Sequence, residues 1–292
     1  MRMGRGGAGP RWASARTSWM PPLRRCSTRS TGSFCVTADP LDFTACAELV
    51  RRGDMPRFRA AMAAPVAARR VLLPLYAFNL QVARAPWVTK EAMIAEMRLQ
   101  WWRDALAEIA AGGMVRRHEV VTPLAAVLDR TSAEELDELV LARRWDIYRE
   151  PFEDEAAFRQ HLDHTAGHLL RAAVRGLGGT PGAEIGDAGF ALGLANWLRA
   201  VPALEAAGRV PLVDGRPEAV QALAQEGLDR LRAARRAGVA AEARPAMISL
   251  WQVEGVLRRA ARDPRRVADG ALEPSPFRDR LGLVITAVTG RW

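Results

Sequence analysis

Thr89-Lys-Glu-Ala-Met-Ile-Ala-Glu-Met-Arg-Leu-Gln-Trp-Trp-Arg-Asp-Ala-Leu-Ala-Glu-Ile-Ala-Ala111 reads as one amphipathic helix. Thr89 can cap it, Glu91 lies near its positive end, and Gly112–Gly113 stop it. Ile94, Met97, Trp101, Ala105 and Ile109 recur at spacings of three and four, so they predict a buried stripe, widened by Trp102 and Leu106. Arg98, Arg103, Asp104 and Glu108 supply the charged side, and Trp101–Trp102 read first as core packing. The same period extends outward from this segment. Pro56, Pro65, Pro86, Pro123, Pro151, Gly176–Gly179, Gly208, Gly215, Pro245, Pro264 and Pro274 divide the chain into pieces of helical length. No stretch alternates apolar and polar residues convincingly, so the fold class is all-α.

Two further segments carry chemistry. From about Asp154 to Leu177 an apolar stripe runs through Phe158, Leu162, Ala166, Leu169, Ala173 and Leu177. Beside it lie His161, His164, His168, Arg171 and Arg175, within about 80° of one another at about 100° per residue. This polar stripe reads as a solvated or partner-facing edge, as an anion site, or as a metal site through the histidines. Asp163, the acid within its span, is expected on the far side, so no complete metal set is predicted. Ala188–Leu198 carries no charge in its eleven residues and predicts a helix buried nearly all round. Asn196 and Arg199, three apart, share a face at its end. They read either as cavity-facing polar groups or as a backbone partner and a solvent-facing cation.

Composition sets the limits. In 292 residues, 49% are hydrophobic and 26% charged, the balance of a soluble globular protein. The net charge of +9 invites a nucleic-acid partner, but residues 1–38 hold seven arginines and no acid. The remaining 35 basic residues face 33 acidic ones, which excludes a dedicated nucleic-acid binder. The single lysine, Lys90, and the abundance of alanine suggest GC-rich coding. Cys26, Cys35 and Cys46 form neither a disulfide framework nor a zinc motif, so a reducing compartment is expected. No uncharged run is long enough to span a membrane; Val71–Ala83 and Ala188–Leu198 read as core helices. Residues 1–38, rich in Arg, Ser and Gly, read as a disordered extension, as a tail ahead of an internal start at Met20, or as a mitochondrial targeting segment. Residues 39–292 form the folded domain.

Three stretches carry a family resemblance: Arg70-Val-Leu-Leu-Pro-Leu-Tyr-Ala-Phe-Asn79, Arg98-Leu-Gln-Trp-Trp-Arg-Asp-Ala-Leu106, and Leu192-Gly-Leu-Ala-Asn-Trp-Leu-Arg-Ala-Val201 followed by Gly208-Arg209. In this order, with Arg144-Trp-Asp-Ile-Tyr148 and Thr165-Ala-Gly167 between them, they resemble the squalene/phytoene synthase family over about residues 43–290. The resemblance implies a single isoprenoid-synthase-type helical domain around a central cavity. In catalytic members that cavity joins two prenyl diphosphates head to head, with Mg²⁺ held by two aspartate-rich motifs on facing helices. The first motif falls on Ala83, Arg84 and Trp87, and the acids of the second on Ala200, Ala203 and Leu204. Mg²⁺ takes hard oxygen ligands, which alanine, leucine, tryptophan and arginine cannot supply. Glu205, Glu91 and Glu96 lie near but recreate no paired arrangement. No catalytic residue is therefore assigned, and Mg²⁺ is expected only if the transferase activity survives.

Ala77-Phe-Asn79 with Ala83, the Arg98–Asp104 run and Leu198-Arg-Ala-Val-Pro202 resemble a branch of that family containing a mitochondrial complex I assembly factor. That branch implies a pseudoenzyme that works with complex I subunits or assembly intermediates as a peripheral protein. Its place would be the cytoplasm or the inner face of the membrane in a bacterium, the matrix in a eukaryote. A second reading keeps the cavity as a binder of a prenyl lipid or quinone tail, lined by Tyr76, Phe78, Asn79, Trp101, Asn196, Trp197 and Arg199. A third is an active head-to-head prenyltransferase with rewired metal ligands.

Overall fold

Helices succeed one another through residues 42–292, the part that the computed structural model describes, and no strand occurs among these residues. The expected N-terminal extension, with Cys26 and Cys35, lies outside the described residues. The first four helices are α1 Thr44–Gly53, α2 Met55–Ala63, α3 Val66–Arg84 and α4 Ala92–Ala110. Then come α5 Val121–Ala125, α6 Arg130–Ala142, α7 Trp145–Tyr148, α8 Glu155–Leu162 and α9 His168–Gly176. The last six are α10 Ala183–Ala206, α11 Pro217–Ala237, α12 Arg244–Met247, α13 Val253–Arg262, α14 Arg265–Ala268 and α15 Pro276–Thr289. The starts follow local chemistry. Asp54, Asp129 and Asp154 cap α2, α6 and α8 by accepting from the N–H of Arg57, Ser132 and Ala157. Pro56 and Pro65 sit at the openings of α2 and α3, where no N–H is missed.

Two helices form the centre. α10 is buried along most of its length, as its uncharged segment predicts, and packs on α11, α13 and α9. α3 buries Leu72, Leu73, Leu75, Tyr76, Ala77 and Phe78 against α1, α2, α5 and α9.

The structure corrects two expectations. In α4 the buried stripe is Ala95, Leu99, Trp102, Leu106 and Ile109, with Ala105 beside it. Ile94 and Met97 face solvent and Trp101 is half-buried, because apolar residues cover so much of this helix that two stripes at the same spacing compete. Its N-cap is Glu91, whose N–H donates to Thr89 Oγ1 at 3.1 Å, so Thr89 acts two residues ahead of the cap.

The expected helix over 154–177 is likewise not uniform: α8 passes into α9 through a π turn at Asp163–Gly167. Thr165 Oγ1 donates to the His161 carbonyl at 2.7 Å, satisfying an acceptor at the wider turn. One extra residue per turn sets every later side chain back by about 100°. That rotation decides which side chains meet.

Candidate functional site

A pocket of about 390 Å³ opens between α3 and α10. α10 lines it with Gly193, Asn196, Trp197, Ala200, Ala203 and Leu204, which recur at three and four and so share one face. Asn79 and Ala83, one turn apart, face them from α3, and Trp87 closes one side from the 3₁₀ turn Ala85–Trp87. Leu162, Thr165 and Ala166 complete the wall from α8 and the π turn. Two cations enter: Arg57 from α2 and Arg143 from the end of α6. Among the described residues, no carboxylate lines the pocket.

The walls stand close because glycine permits it. A Cβ on Gly189 would lie 2.8 Å from Gly167 Cα, and one on Gly193 would lie 3.0 Å from Ala166 Cβ. Behind Trp197 lies an aromatic cluster. Trp145 stacks on Phe152 at 4.9 Å, Trp197 meets Trp145 edge-on at 5.1 Å, and His161 meets Trp197 at 5.0 Å. Trp197 Nε1 donates to the Pro211 carbonyl, which fixes its ring.

Each cation has an acid behind it rather than in the pocket. Arg57 Nη1 donates to Asp54 Oδ2 at 2.6 Å. Burial works against the charge on Asp54, but Arg57 and its backbone N–H outweigh it and hold the carboxyl below its ordinary value. Arg143 lies 3.7 Å from Asp146, and its Nε is buried without a hydrogen-bond partner. Burial pushes the Arg143 guanidinium down and the Asp146 carboxyl up, each opposed by the other's charge. Arg209 donates to the Asp146 carbonyl and lies 4.3 Å above the Trp87 ring.

The expected cavity residues divide. Asn79, Asn196 and Trp197 line the pocket. Tyr76 and Phe78 do not: both are buried, Tyr76 beside Arg57 and Phe78 edge-on to Trp102. Trp101 packs between His118 and Arg116, remote from it. Arg199 is held by Glu273 and Gln252 and lines no part of the pocket. Phe78 and Asn79, though adjacent in the chain, point about 100° apart on α3, and Arg199 is drawn away to Glu273 and Gln252. Arg57 and Arg143 escaped notice in the sequence because nothing local marks them; they meet only across the fold.

Of the positions on which the resemblance places the family's acids, Ala83, Trp87, Ala200, Ala203 and Leu204 all line the pocket. Arg84 instead lies against Gly53 of α1. Glu96 is bound to Arg144 at 2.8 Å, and neither it nor Glu91 or Glu205 lines the pocket. The donors present, two amides, one hydroxyl and two guanidinia, do not fit Mg²⁺, which takes carboxylates, phosphates and water and is repelled by cations.

The polar stripe is broken by the π turn. His161 turns into the aromatic cluster, where burial first and Arg143 second push its imidazole down to about 3. His164, His168, Arg171 and Arg175 turn towards α6. Asp163 does not point away. Both its oxygens accept from Arg171 at 2.9 Å, because the set-back makes residues eight apart behave as if seven apart, on one face. A carboxylate does stand beside the histidines, but from α6 rather than from the stripe's own span: the ligand atoms of Glu138, His164 and His168 lie within 4.8 Å of one another.

The squalene/phytoene synthase family pattern matches residues 50–214, more than half of the chain. The chain belongs to the squalene/phytoene synthase family. Two solved structures have its fold: a dehydrosqualene synthase in complex with ligand, with a TM-score of 0.66 at 14% identity over 87% of this chain and 100% of that one, and squalene synthase HpnC from Alicyclobacillus acidocaldarius, with a TM-score of 0.54 at 18% identity over 85% and 94%. No curated protein sequence matches significantly. The expected isoprenoid-synthase-type, all-α architecture is thus found. Enzymes of the squalene/phytoene synthase family are prenyltransferases that use Mg²⁺. No helix among the described residues is long and apolar enough to cross a membrane.

Proposed function

We propose that this chain is a non-catalytic member of its family that holds a prenyl lipid in the α3–α10 pocket and assists assembly of respiratory complex I at the membrane surface. One observation carries the loss of catalysis. Five positions at which the family's metal-binding acids are expected line the pocket as Ala83, Trp87, Ala200, Ala203 and Leu204, and the charges there are Arg57 and Arg143. Ionising a prenyl diphosphate needs Mg²⁺ to draw off the leaving group's charge. A pocket with cations and no carboxylate favours a bound anionic or carbonyl head and leaves it intact.

The lipid is supported by the pocket's shape and mouth. Its walls are apolar apart from a few polar groups, the usual form of a ligand site. Trp87 both lines it and is 45% exposed, and the chain beyond continues into exposed Val88, Met93 and Met97. Such a rim suits entry from a lipid surface. The role in complex I assembly rests on the branch resemblance carried by Ala83, the Arg98–Asp104 run and Leu198–Pro202.

The test is a strain lacking this protein, with NADH:quinone oxidoreductase activity measured in its membranes and complex I followed on native gels. Activity and assembled complex are expected to fall and to return with the wild type and with Ala83→Asp alike. Ala200→Trp, which fills the pocket, is expected not to restore them. An unchanged complex I overturns the assembly role. Full rescue by Ala200→Trp overturns the need for a lipid. Mg²⁺-dependent pyrophosphate release from farnesyl or geranylgeranyl diphosphate by the purified protein overturns the loss of catalysis.

A further inference from the structure

The side chains left unused by the pocket include a second cluster, on the other side of the π turn. Glu138 projects from α6, His164 from the π turn and His168 from the start of α9. Glu138 Oε2 lies 3.4 Å from His164 Nε2, and the two imidazoles stack at 4.9 Å. His168 Nδ1 is 2.6 Å from the Glu135 carbonyl oxygen. A carbonyl only accepts, so Nδ1 carries the proton and Nε2 turns a lone pair towards the cluster. Asp163 Oδ2 stands 3.9 Å from that Nε2. Ligand atoms of two imidazoles and a carboxylate thus lie within 4.8 Å of one another, contributed by α6 on one side and by the π turn and α9 on the other.

We infer that Glu138, His164 and His168 bind one divalent transition-metal ion of the zinc class, with water completing the coordination.

The donor set selects the metal. Two imidazole nitrogens and one carboxylate suit zinc and its neighbours, not Mg²⁺ or Ca²⁺. Zinc bonds of about 2.0–2.1 Å to nitrogen and oxygen give a tetrahedral edge of roughly 3.4 Å, the separation of Glu138 Oε2 from His164 Nε2. His168 needs only a small ring movement, since all three ligand atoms already lie within 4.8 Å. Its bond to the Glu135 carbonyl is the outer contact that fixes a ligating histidine's tautomer.

The nearby cations are already engaged. Arg175 gives both terminal nitrogens to Glu135 at 2.7 and 2.8 Å, and Arg171 gives both to Asp163 at 2.9 Å. Arg171 also lies 3.7 Å from Glu135. Gln160 Nε2, 3.5 Å from His164 Nε2, is on the exposed side and can turn away. An ion here would clamp α6 to the π turn, the element that shapes the pocket wall on its opposite side.

The test uses the untagged full chain, stripped of metal, titrated with Zn²⁺ by calorimetry and with Co²⁺ by visible absorption. One equivalent is expected to bind, with the intense absorption of tetrahedral Co²⁺ and a rise in melting temperature on Zn²⁺ addition. Glu138→Gln and His164→Ala change exposed or half-exposed side chains, and each is expected to weaken binding about tenfold or more and to remove the thermal shift. His118→Gln, at a histidine outside the cluster, is expected to bind as the wild type does. X-ray absorption of the zinc-loaded wild type is expected to show two imidazoles, which keeps the test decisive should a variant fail to fold. No saturable site, a site indifferent to Glu138 and His164, or a bound ion without two imidazoles overturns the inference. Because the readouts involve neither lipid nor complex I, its failure is separate from that of the proposed function.

Discussion

His161 shows how far one side chain's fate depends on its surroundings. In solution its imidazole would take a proton near pH 6.5; among Trp145, Phe152, Phe158 and Trp197 it stays neutral down to about 3. Its Nε2 is buried without a hydrogen-bond partner, so protonation has nothing there to stabilise it. The folded value lies below the unfolded one. The unfolded chain therefore binds the extra proton first, and stability is whole above about pH 6.5 and is lost as pH falls from there towards 3. For one proton the slope is at most about 1.4 kcal/mol per pH unit. His168, also pushed down by burial, adds to it in the same sense. Denaturant unfolding from pH 7.5 to 4.5 is expected to show this fall in the wild type and a shallower one in His161→Phe. Parallel curves would remove His161 as the cause. None of this was legible in the sequence, where His161 stood with His164 and His168 on one stripe.

Elements account for what was and was not legible. The uncharged run Ala188–Leu198 announced a buried helix, and α10 is one; of the pair counted onto one face at its end, Asn196 lines the pocket and Arg199 does not, while Trp197, expected there on the lipid-binding reading, does. The π turn could not be foreseen, since Asp163-His-Thr-Ala-Gly167 contains nothing that an α-helix would refuse. Its single extra residue undid the helical arithmetic of everything after it, parting His161 from His168 and bringing Asp163 to Arg171. The turn survives because α10 leaves room for it. Two glycines three apart on α10 make the point. Gly186 faces open space, and Gly189 meets Gly167 backbone. Gly186→Ala is expected to stabilise the fold by about 0.5–1 kcal/mol through lost unfolded-chain freedom. Gly189→Ala gains the same propensity but drives a Cβ to 2.8 Å from Gly167 Cα, which is backbone and cannot rotate away. A net loss of about 1–2 kcal/mol is expected. Chemical denaturation of the two variants checks it; equal shifts would mean that the crossing relaxes at little cost.

At the scale of the whole molecule, the all-α fold followed from the pattern of breaks and stripes, but the outer surface did not, because burial depends on which helix comes to lie on which. α15 is the case in point. Thr286 and, in part, Leu283 face the body, while Phe277, Leu281, Val284, Ile285 and Val288 stay exposed, Phe277 at 75% and Val288 at 80%. At about 100° per residue these five fall within one stripe about 100° wide. Arg280 lies at one edge of that stripe and Arg278 at the other, while Asp279 turns inward to Gln252 and Arg59. An apolar stripe bordered by cations is the pattern of a helix that lies in a membrane interface. The peripheral role proposed above therefore makes a specific demand on α15. The protein is expected to float with vesicles containing an anionic lipid, more weakly with neutral ones, and less at high salt, since only the arginines' share of the attraction is screened. Phe277→Ser with Val288→Ser is expected to lower the bound fraction about tenfold or more without altering helical content, because neither side chain packs against the body. Binding that ignores both substitutions would move the contact elsewhere, to the apolar rim at Trp87, Met93 and Met97, and would leave α15 without this role.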